Sequence, residues 1–178
     1  MNLNKIPVGK NPPEEVNVVI EVPSGGHPVK YEMDKDTQCI TVDRFLHTPM
    51  RYPANYGFIP QTLGDDGDPL DVLVVAQFPL VSGCVIAVRP IGVLEMEDDG
   101  GGDEKIVAVP ITKLDPYYKD IQEIENLPAI LKGQIQHFFE HYKDLEPGKW
   151  VKVSGWGDAE RARELITKGI NSGKSVAA

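Results

Sequence analysis

The sequence predicts a mainly β protein with two helices (α+β), in which short strands form a compact antiparallel barrel or sandwich. The first observation is a series of short β-branched segments separated by turn residues, which fills the first two-thirds of the chain. The second is a helical apolar stripe in the last third. The third is size, because 178 residues with 41% hydrophobic and 25% charged residues are typical of one globular domain. We therefore expect residues 1–178 to form a single domain.

At least six strands are predicted from alternation and β-branched composition. Residues 16–22 are rich in valine and end at Pro-Ser-Gly-Gly, which indicates a turn. In residues 29–33, alternation places Lys30 and Glu32 on one face of the strand. Residues 51–60 are aromatic and rich in turn residues, so we expect an ordered connection there. The other predicted strands are residues 39–45, 71–75, 85–96, with a bend at Pro90 and Gly92, and 106–109.

The last third is predicted to contain a long helix over residues 127–144. Its apolar residues recur at intervals of four, three and four, and Pro128 suits its first turn. Pro147 and Gly148 indicate where it ends. The remaining elements are a strand over residues 150–153 and a short helix over residues 159–168, which Asp158 caps and a frayed tail follows.

Charge and cysteine content narrow the classes of function. A net charge of -9 disfavours nucleic acid and anionic membranes as partners, because both are bound mainly through excess lysine and arginine. No apolar run approaches 18 residues, and residues 1–7 lack a secretory hydrophobic segment, so we expect a cytoplasmic protein without a membrane span. Cys39 and Cys84 lie in separate strand-like segments and are expected to be buried, inert thiols.

Four carboxylates are crowded into the segment GDDGDPLDVLV, residues 64–74, which runs into an apolar strand. Two unit charges about 6 Å apart repel by roughly 3 kcal/mol at an effective dielectric near 20, so the cluster calls for a counterion. In extended chain Asp66 and Asp68 project to the same side, a conformation that Pro69 favours. Asp71 opens the strand itself. Oxygen ligands without nearby Cys or His favour Mg²⁺ or Mn²⁺, and a solvated acidic turn is the alternative.

A second acidic segment and several phosphate-binding side chains accompany this cluster. Residues 97–105 form an acidic, glycine-rich loop between two predicted strands, which alone is typical of a solvated hairpin loop. Side chains that can bind anionic oxygens are spread along the chain: Lys30, Arg44, Tyr52, Tyr56, Tyr142 and Lys143. An acidic protein can hold a highly charged anion only through bridging cations. The two sets together therefore favour a metal-bridged phosphate site.

The segment DGDPLDV, residues 66–72, resembles the signature of the family I soluble inorganic pyrophosphatases of bacterial type. The resemblance extends over nearly the whole chain, through the segments VVIEVP, VKYEMDK, VDRF, YPANYGFIPQTL, GVLEMEDDG, KIVAVP and HFFEHYKDLEPGKWVKV. It implies an OB-like five-stranded closed β-barrel with peripheral helices. It also implies Mg²⁺-dependent hydrolysis of pyrophosphate to two orthophosphates, several ions in each active site, and a homohexamer built from two trimers.

The resemblance also implies a role for individual residues. The metal ligands would be Asp66, Asp71 and Asp103 for the most persistent ion, with Asp71 bridging to a second ion, Asp98 and Asp103 for a third, and Glu32 for a fourth. Asp68 would be the general base that deprotonates the attacking water. Substrate would be bound by Lys30 and Tyr56 at the electrophilic phosphoryl group and by Arg44, Tyr142 and Lys143 at the leaving phosphate. The supporting residues would be Glu21, Tyr52 and Lys105.

Two other hypotheses remain open at this stage. His137, Glu140 and His141 fit the H-x-x-E-H pattern of zinc metallopeptidases, since His residues four apart share a helical face. The helix that carries them resembles an interface element of the bacterial pyrophosphatases. We therefore expect the two histidines to lie at a contact between trimers. The second alternative is an OB-like module that binds divalent cations without catalysis.

Overall fold

The computed structural model describes residues 2–176, which form nine strands, two α-helices and three short 3₁₀ helices. The strands are β1 (Val16–Val22), β2 (Val29–Met33), β3 (Ile40–Phe45), β4 (Asn55–Phe58), β5 (Asp71–Val74), β6 (Val85–Asp98), β7 (Gly101–Gly102), β8 (Lys105–Pro110) and β9 (Val151–Gly157). The helices are α1 (Ala129–His141), α2 (Ala159–Val176) and the 3₁₀ turns Leu3–Lys5, Pro116–Tyr118 and Ile124–Asn126.

Five strands pair around a closed ring, in the order β1, β4, β5, β8, β6 and back to β1. This confirms the mainly β fold and the OB-like five-stranded closed barrel. β6 bends as predicted, because its register with β8 shifts between Pro90 and Gly92. Beyond the bend it also pairs with β7 and β9, while β2 and β3 form a separate two-stranded sheet. The ring is the frame that carries the candidate site.

One pair of ring neighbours departs from the expected antiparallel arrangement. β5 and β8 run parallel, with Val72 opposite Ile106 and Val74 opposite Ala108. Parallel strands need a long connection, and here the chain between them includes β6, which then pairs antiparallel with β8. Because the two strands start at the same edge of the sheet, the residues that begin them meet there.

The segment over residues 51–60, expected to be a connection, contains the strand β4, so that prediction was wrong. Its turn residues serve tertiary contacts instead. A Cβ atom on Gly57 would lie 1.9 Å from the carbonyl oxygen of Val19, so only glycine allows β4 to approach β1 this closely. Asn55 is fully buried, and its Oδ1 atom accepts hydrogen bonds from the backbone nitrogens of Ser24 and Leu80. Asn55 and Gly57 therefore hold the strand in place, although they are typical of turns.

The second helix is longer than predicted. Residues 169–176 continue it where a frayed tail was expected, so α2 has 18 residues and is also longer than α1, which has 13. Asp158 caps it as predicted, since its Oδ1 atom accepts a hydrogen bond from the Arg161 backbone nitrogen at 2.9 Å. Added Cβ atoms on Gly169 and Gly173 would lie 2.6 Å from Leu70 and from the Gln61 carbonyl oxygen. The glycines that predicted fraying therefore allow the helix to pack closely against residues 61–70.

The central strands are buried on both faces, as the apolar sequence of β5 predicts. Leu73 belongs to a cluster beneath α1, with Phe138 and Phe139, whereas Val72 and Val74 belong to one beneath α2. The cysteine prediction was wrong in one respect, because Cys39 is exposed just before β3 and Cys84 is half-buried just before β6. Within residues 2–176, no helix combines the length and apolar character needed to cross a bilayer.

Candidate active site

A cavity of about 280 Å³ opens between the barrel, the β2–β3 sheet and the end of α1. Every site residue that the family resemblance implies lines it: Glu21 on β1; Lys30 and Glu32 on β2; Arg44 on β3; Tyr52 before and Tyr56 on β4; Asp66 and Asp68 before β5; Asp71 on β5; Asp98 on β6; Asp103 before and Lys105 on β8; Tyr142 and Lys143 after α1. Residues far apart in the chain thus form one polar wall.

The parallel pair of strands brings the first part of this wall together. Asp71 begins β5 and Lys105 begins β8, one position before the paired residues Val72 and Ile106. The Lys105 ammonium donates hydrogen bonds to Asp71 and to Asp103. Burial disfavours its charge, but the two carboxylates outweigh burial and hold the pKa of Lys105 above its ordinary value. Burial also raises the pKa of Asp103, despite the nearby lysine.

A second ion pair joins the acidic loop to the end of α1. Lys143 donates to Asp98 across 2.6 Å, and the Gly100 backbone nitrogen donates to the other oxygen of Asp98 at 2.7 Å. Burial raises the pKa of Asp98, but these hydrogen bonds and the Lys143 charge outweigh it, so the pKa is lowered. The loop over residues 97–105, which alone resembles a solvated hairpin, therefore contributes to the cavity.

The loop that carries Asp66 and Asp68 is a turn rather than the predicted extended chain. Gly67 has a positive φ of 87°, and the Oδ1 atom of Asp66 accepts a hydrogen bond from the Asp68 backbone nitrogen at 3.0 Å. Both side chains still line the cavity. The fourth carboxylate of the cluster, Asp65, lies elsewhere, because it accepts a hydrogen bond from Lys168 of α2 at 2.7 Å.

Sequence reasoning missed five residues that line the cavity: Met33, Lys35, Phe58, Pro69 and Phe139. Lys35 matters most, because its ammonium donates to the Asp68 carboxylate. It lies within the VKYEMDK segment that carries the resemblance, but the two residues are 33 positions apart. Neither periodicity nor spacing could place them together.

The deepest polar groups are shielded from water. Glu21 is 7% exposed, accepts a hydrogen bond from the Met33 backbone nitrogen at 2.7 Å, and has its pKa raised to about 7, chiefly by burial. Burial also raises the pKa of Tyr52, Tyr56 and Tyr142, so these phenols stay protonated and can donate hydrogen bonds.

Arg44 is held by two carboxylates at the mouth of the cavity. Its Nε atom donates to Asp43 at 2.8 Å and its Nη1 atom to Glu146 at 3.0 Å. Burial lowers the pKa of Arg44, but these partners outweigh burial and raise it. The guanidinium therefore stays charged.

The donor set of the cavity fits a hard divalent cation. Its acidic residues offer carboxylate oxygens, and no Cys or His is among its described lining residues. Within residues 2–176, no three His, Cys, Asp or Glu side chains are grouped so that they could hold a metal ion as they stand, and lysine ammonium groups lie against three of the carboxylates. Asp71 and Asp103 already share one positive charge, that of Lys105.

The histidines of the H-x-x-E-H pattern lie outside this cavity. The rings of His137 and His141 have centroids 4.5 Å apart, and His141 Nδ1 lies 2.8 Å from Asp144. Glu140 accepts a hydrogen bond from Gln136 at 2.8 Å. The described residues thus give no support to a zinc metallopeptidase.

Comparisons with known proteins identify the family of this chain. The family model described as inorganic pyrophosphatase matches residues 18–174. The inorganic pyrophosphatase of Agrobacterium fabrum is 61% identical over 175 residues, 98% of this chain and 99% of the relative, and that of Pseudomonas aeruginosa is 61% identical over 170 residues, 96% and 97%. The crystal structure of inorganic pyrophosphatase from Thermus thermophilus matches with a TM-score of 0.93 and 48% identity, covering 98% of this chain and 99% of that one. The cavity lies wholly within the matched residues.

Proposed function

Because the chain belongs to the inorganic pyrophosphatase family and hydrolyses inorganic diphosphate to two orthophosphates, we propose that the residues lining its cavity carry out this reaction with Mg²⁺. Family I pyrophosphatases depend on metal ions, and the finer assignment to several Mg²⁺ ions, with Mn²⁺ as a substitute, is part of the proposal. The family assignment leaves no support for a binding module without catalysis.

The observation that carries the proposal is the shared ammonium of Lys105, which Asp71 and Asp103 hold from two sides. Carboxylates that converge on one positive charge are suited to hold a divalent cation beside it. Asp66, Asp71, Asp98, Asp103 and Glu32 are the residues that would hold the ions. Bound Mg²⁺ ions would lower the pKa of the attacking water and would place positive charge beside the phosphate oxygens.

Asp68 is assigned as the general base. It is exposed to the cavity, and Lys35 contacts its carboxylate. Asp68 takes a proton from the water as the water oxygen forms a bond to one phosphorus, and the bond from that phosphorus to the bridging oxygen breaks. The bridging oxygen leaves with the second phosphate, which takes up a proton from solvent. Asp68 returns its own proton to solvent.

The cationic and phenolic side chains of the cavity position the substrate. Lys30 and Tyr56 are assigned to the phosphoryl group under attack. Arg44, Tyr142 and Lys143 are assigned to the oxygens of the leaving phosphate, which they bind in the substrate as well as in the transition state. Lys105, Glu21 and Tyr52 support these groups from the buried side. The burial of Lys105 and Tyr52, at 3% and 2% exposed, supports that assignment.

A phosphate-release assay tests the proposal. Purified protein freed of metal by chelation should release no phosphate from pyrophosphate, and Mg²⁺ should restore release. Mn²⁺ should restore part of it. Turnover that persists after chelation, or Zn²⁺-stimulated peptide hydrolysis in its place, would overturn the proposal.

We also propose a homohexamer of two trimers, and a cytoplasmic location stays a prediction. The exposed face of α1 supports self-association, because Ile130 is 72% exposed and lines a groove with Met50, Pro53 and His137. Sedimentation velocity measures the assembly directly.

A further inference from the structure

Glu146 is an acidic residue with a largely covered side chain that the proposed chemistry does not use. Its side chain is 10% exposed, and its Oε2 atom accepts a hydrogen bond from Arg44 at 3.0 Å. Its Oε1 atom is buried with no hydrogen-bond partner. An unpartnered buried oxygen costs free energy, so stability alone does not explain a carboxylate at this position.

Glu146 contacts Arg44 from a distant segment of the chain, which Asp43 does not. Asp43 is next to Arg44 on β3 and moves with it, whereas Glu146 is 102 positions away in the turn after α1. The backbone nitrogen of Glu146 donates to the Lys143 carbonyl oxygen at 2.8 Å, so this turn includes a substrate-binding residue. Glu146 therefore links the β2–β3 sheet to the end of α1.

Neighbouring contacts join the same two segments. The Thr48 hydroxyl donates to the Tyr142 carbonyl oxygen at 3.4 Å, and His47 Nδ1 lies 3.4 Å from the Leu145 carbonyl oxygen. These contacts are long, and Glu146 makes the short, charged one. Among these three contacts it is the one that reaches the Arg44 side chain itself.

We propose that Glu146 is a positioning residue, which fixes the Arg44 guanidinium relative to Tyr142 and Lys143 so that the three groups bind one phosphate together. The inference rests on the proposed function, since it takes Arg44 as a ligand of the leaving phosphate. Glu146 acts through Arg44 and does not touch substrate. Without Glu146, the only carboxylate partner of Arg44 among the described residues would be Asp43 of its own strand.

The test compares Glu146→Gln with wild type in steady-state hydrolysis of pyrophosphate with Mg²⁺. We expect KM to rise about 3-fold to 10-fold while kcat changes less than about twofold, because binding in the ground state and the transition state is lost alike. Glu95→Gln is the matched control, since Glu95 pairs with Arg161 at 3.4 Å outside the cavity. It should leave KM unchanged.

A double variant tests whether Glu146 acts through Arg44 or has an independent effect on KM. In Arg44→Ala, added Glu146→Gln should cause no further rise in KM, whereas an independent effect of equal size would overturn the proposal. An unchanged KM in folded Glu146→Gln would do the same. If that variant does not fold, Glu146→Asp keeps the charge on a shorter arm and should raise KM, and a wild-type KM there contradicts the inference. If Arg44→Ala alone leaves KM unchanged, the role proposed for Arg44 fails first.

Discussion

The Nζ atom of Lys105 lies 2.5 Å from the Oδ2 atom of Asp71, at the point where the parallel strands β5 and β8 begin side by side. The lysine side chain is 4% exposed, so its charge is held almost out of water by two carboxylates. Such a charge is stable only while its partners remain ionised. A lysine ammonium and its two carboxylate partners thus lie at the edge of the barrel where catalysis is proposed.

Replacing Lys105 with methionine should destabilise the metal-free protein by about 2 to 3 kcal/mol, because Asp71 and Asp103 lose a charged hydrogen-bond donor. Mg²⁺ should restore more stability to this variant than to wild type. Thermal unfolding in chelator and in Mg²⁺ measures both effects. Lys152→Met is the control, since its pair with Glu97 is exposed and worth less than about 1 kcal/mol. Equal losses in the two variants would contradict the prediction.

Asp68→Asn should retain Mg²⁺ binding but lose turnover by about 10²-fold to 10⁴-fold, as expected for loss of a general base. Calorimetric Mg²⁺ titration and phosphate release measure the two properties separately. Asp65→Asn provides the comparison, because Asp65 lies in the same turn but pairs with Lys168 outside the cavity. It should retain near-normal turnover. Lost Mg²⁺ affinity in Asp68→Asn would identify Asp68 as a ligand.

Glu21 should make the metal-free protein less stable as pH rises. Its pKa is raised from 4.5 to about 7 in the folded protein, so the stability that it contributes is complete below pH 4.5 and is lost as pH rises through 7. The difference in unfolding free energy between wild type and Glu21→Gln should therefore change by about 3 kcal/mol between pH 4.5 and 8. Urea unfolding in chelator measures it, and a constant difference would contradict the cause given. Glu97→Gln, at a half-exposed position, controls for loss of a carboxylate.

Assembly should depend on the exposed face of α1. Ile130 is 72% exposed in the groove that also contains Met50 and His137, so a charge at this position should oppose burial of the face between subunits. Sedimentation velocity should show a smaller hexamer fraction for Ile130→Glu than for wild type. Leu114→Glu is the control, since Leu114 is 56% exposed outside this groove. Equal hexamer fractions for Ile130→Glu and wild type would exclude this face from the interface.

The sequence predicted the structure correctly where the local pattern of apolar and polar residues matches the burial of those residues in the fold. Alternation predicted β2 and its pair Lys30 and Glu32, and the apolar run after Asp71 predicted a strand buried on both faces. The candidate site was predicted from the carboxylate cluster together with the family resemblance, and each proposed residue lines one cavity. The roles of those residues, and the single domain, remain predictions.

Local pattern failed where distant packing decides the conformation. Gly57 and Asn55 are typical of turns, yet β1 and the buried hydrogen bonds make them part of a strand. Gly169 similarly serves a contact with residues before β5, which no local signal in α2 reveals. Lys35 reaches Asp68 from the turn between β2 and β3. These contacts exist only after the chain has folded back on itself.

The closed ring also has a consequence for protein synthesis. β8 is the last of the five ring strands to leave the ribosome, and it pairs with both β5 and β6. A nascent chain that stops before Lys105 would present an unpaired strand edge and leave Asp71 without its internal cation. Pairing of β8 therefore closes the ring and supplies the cationic partner of Asp71 in one step.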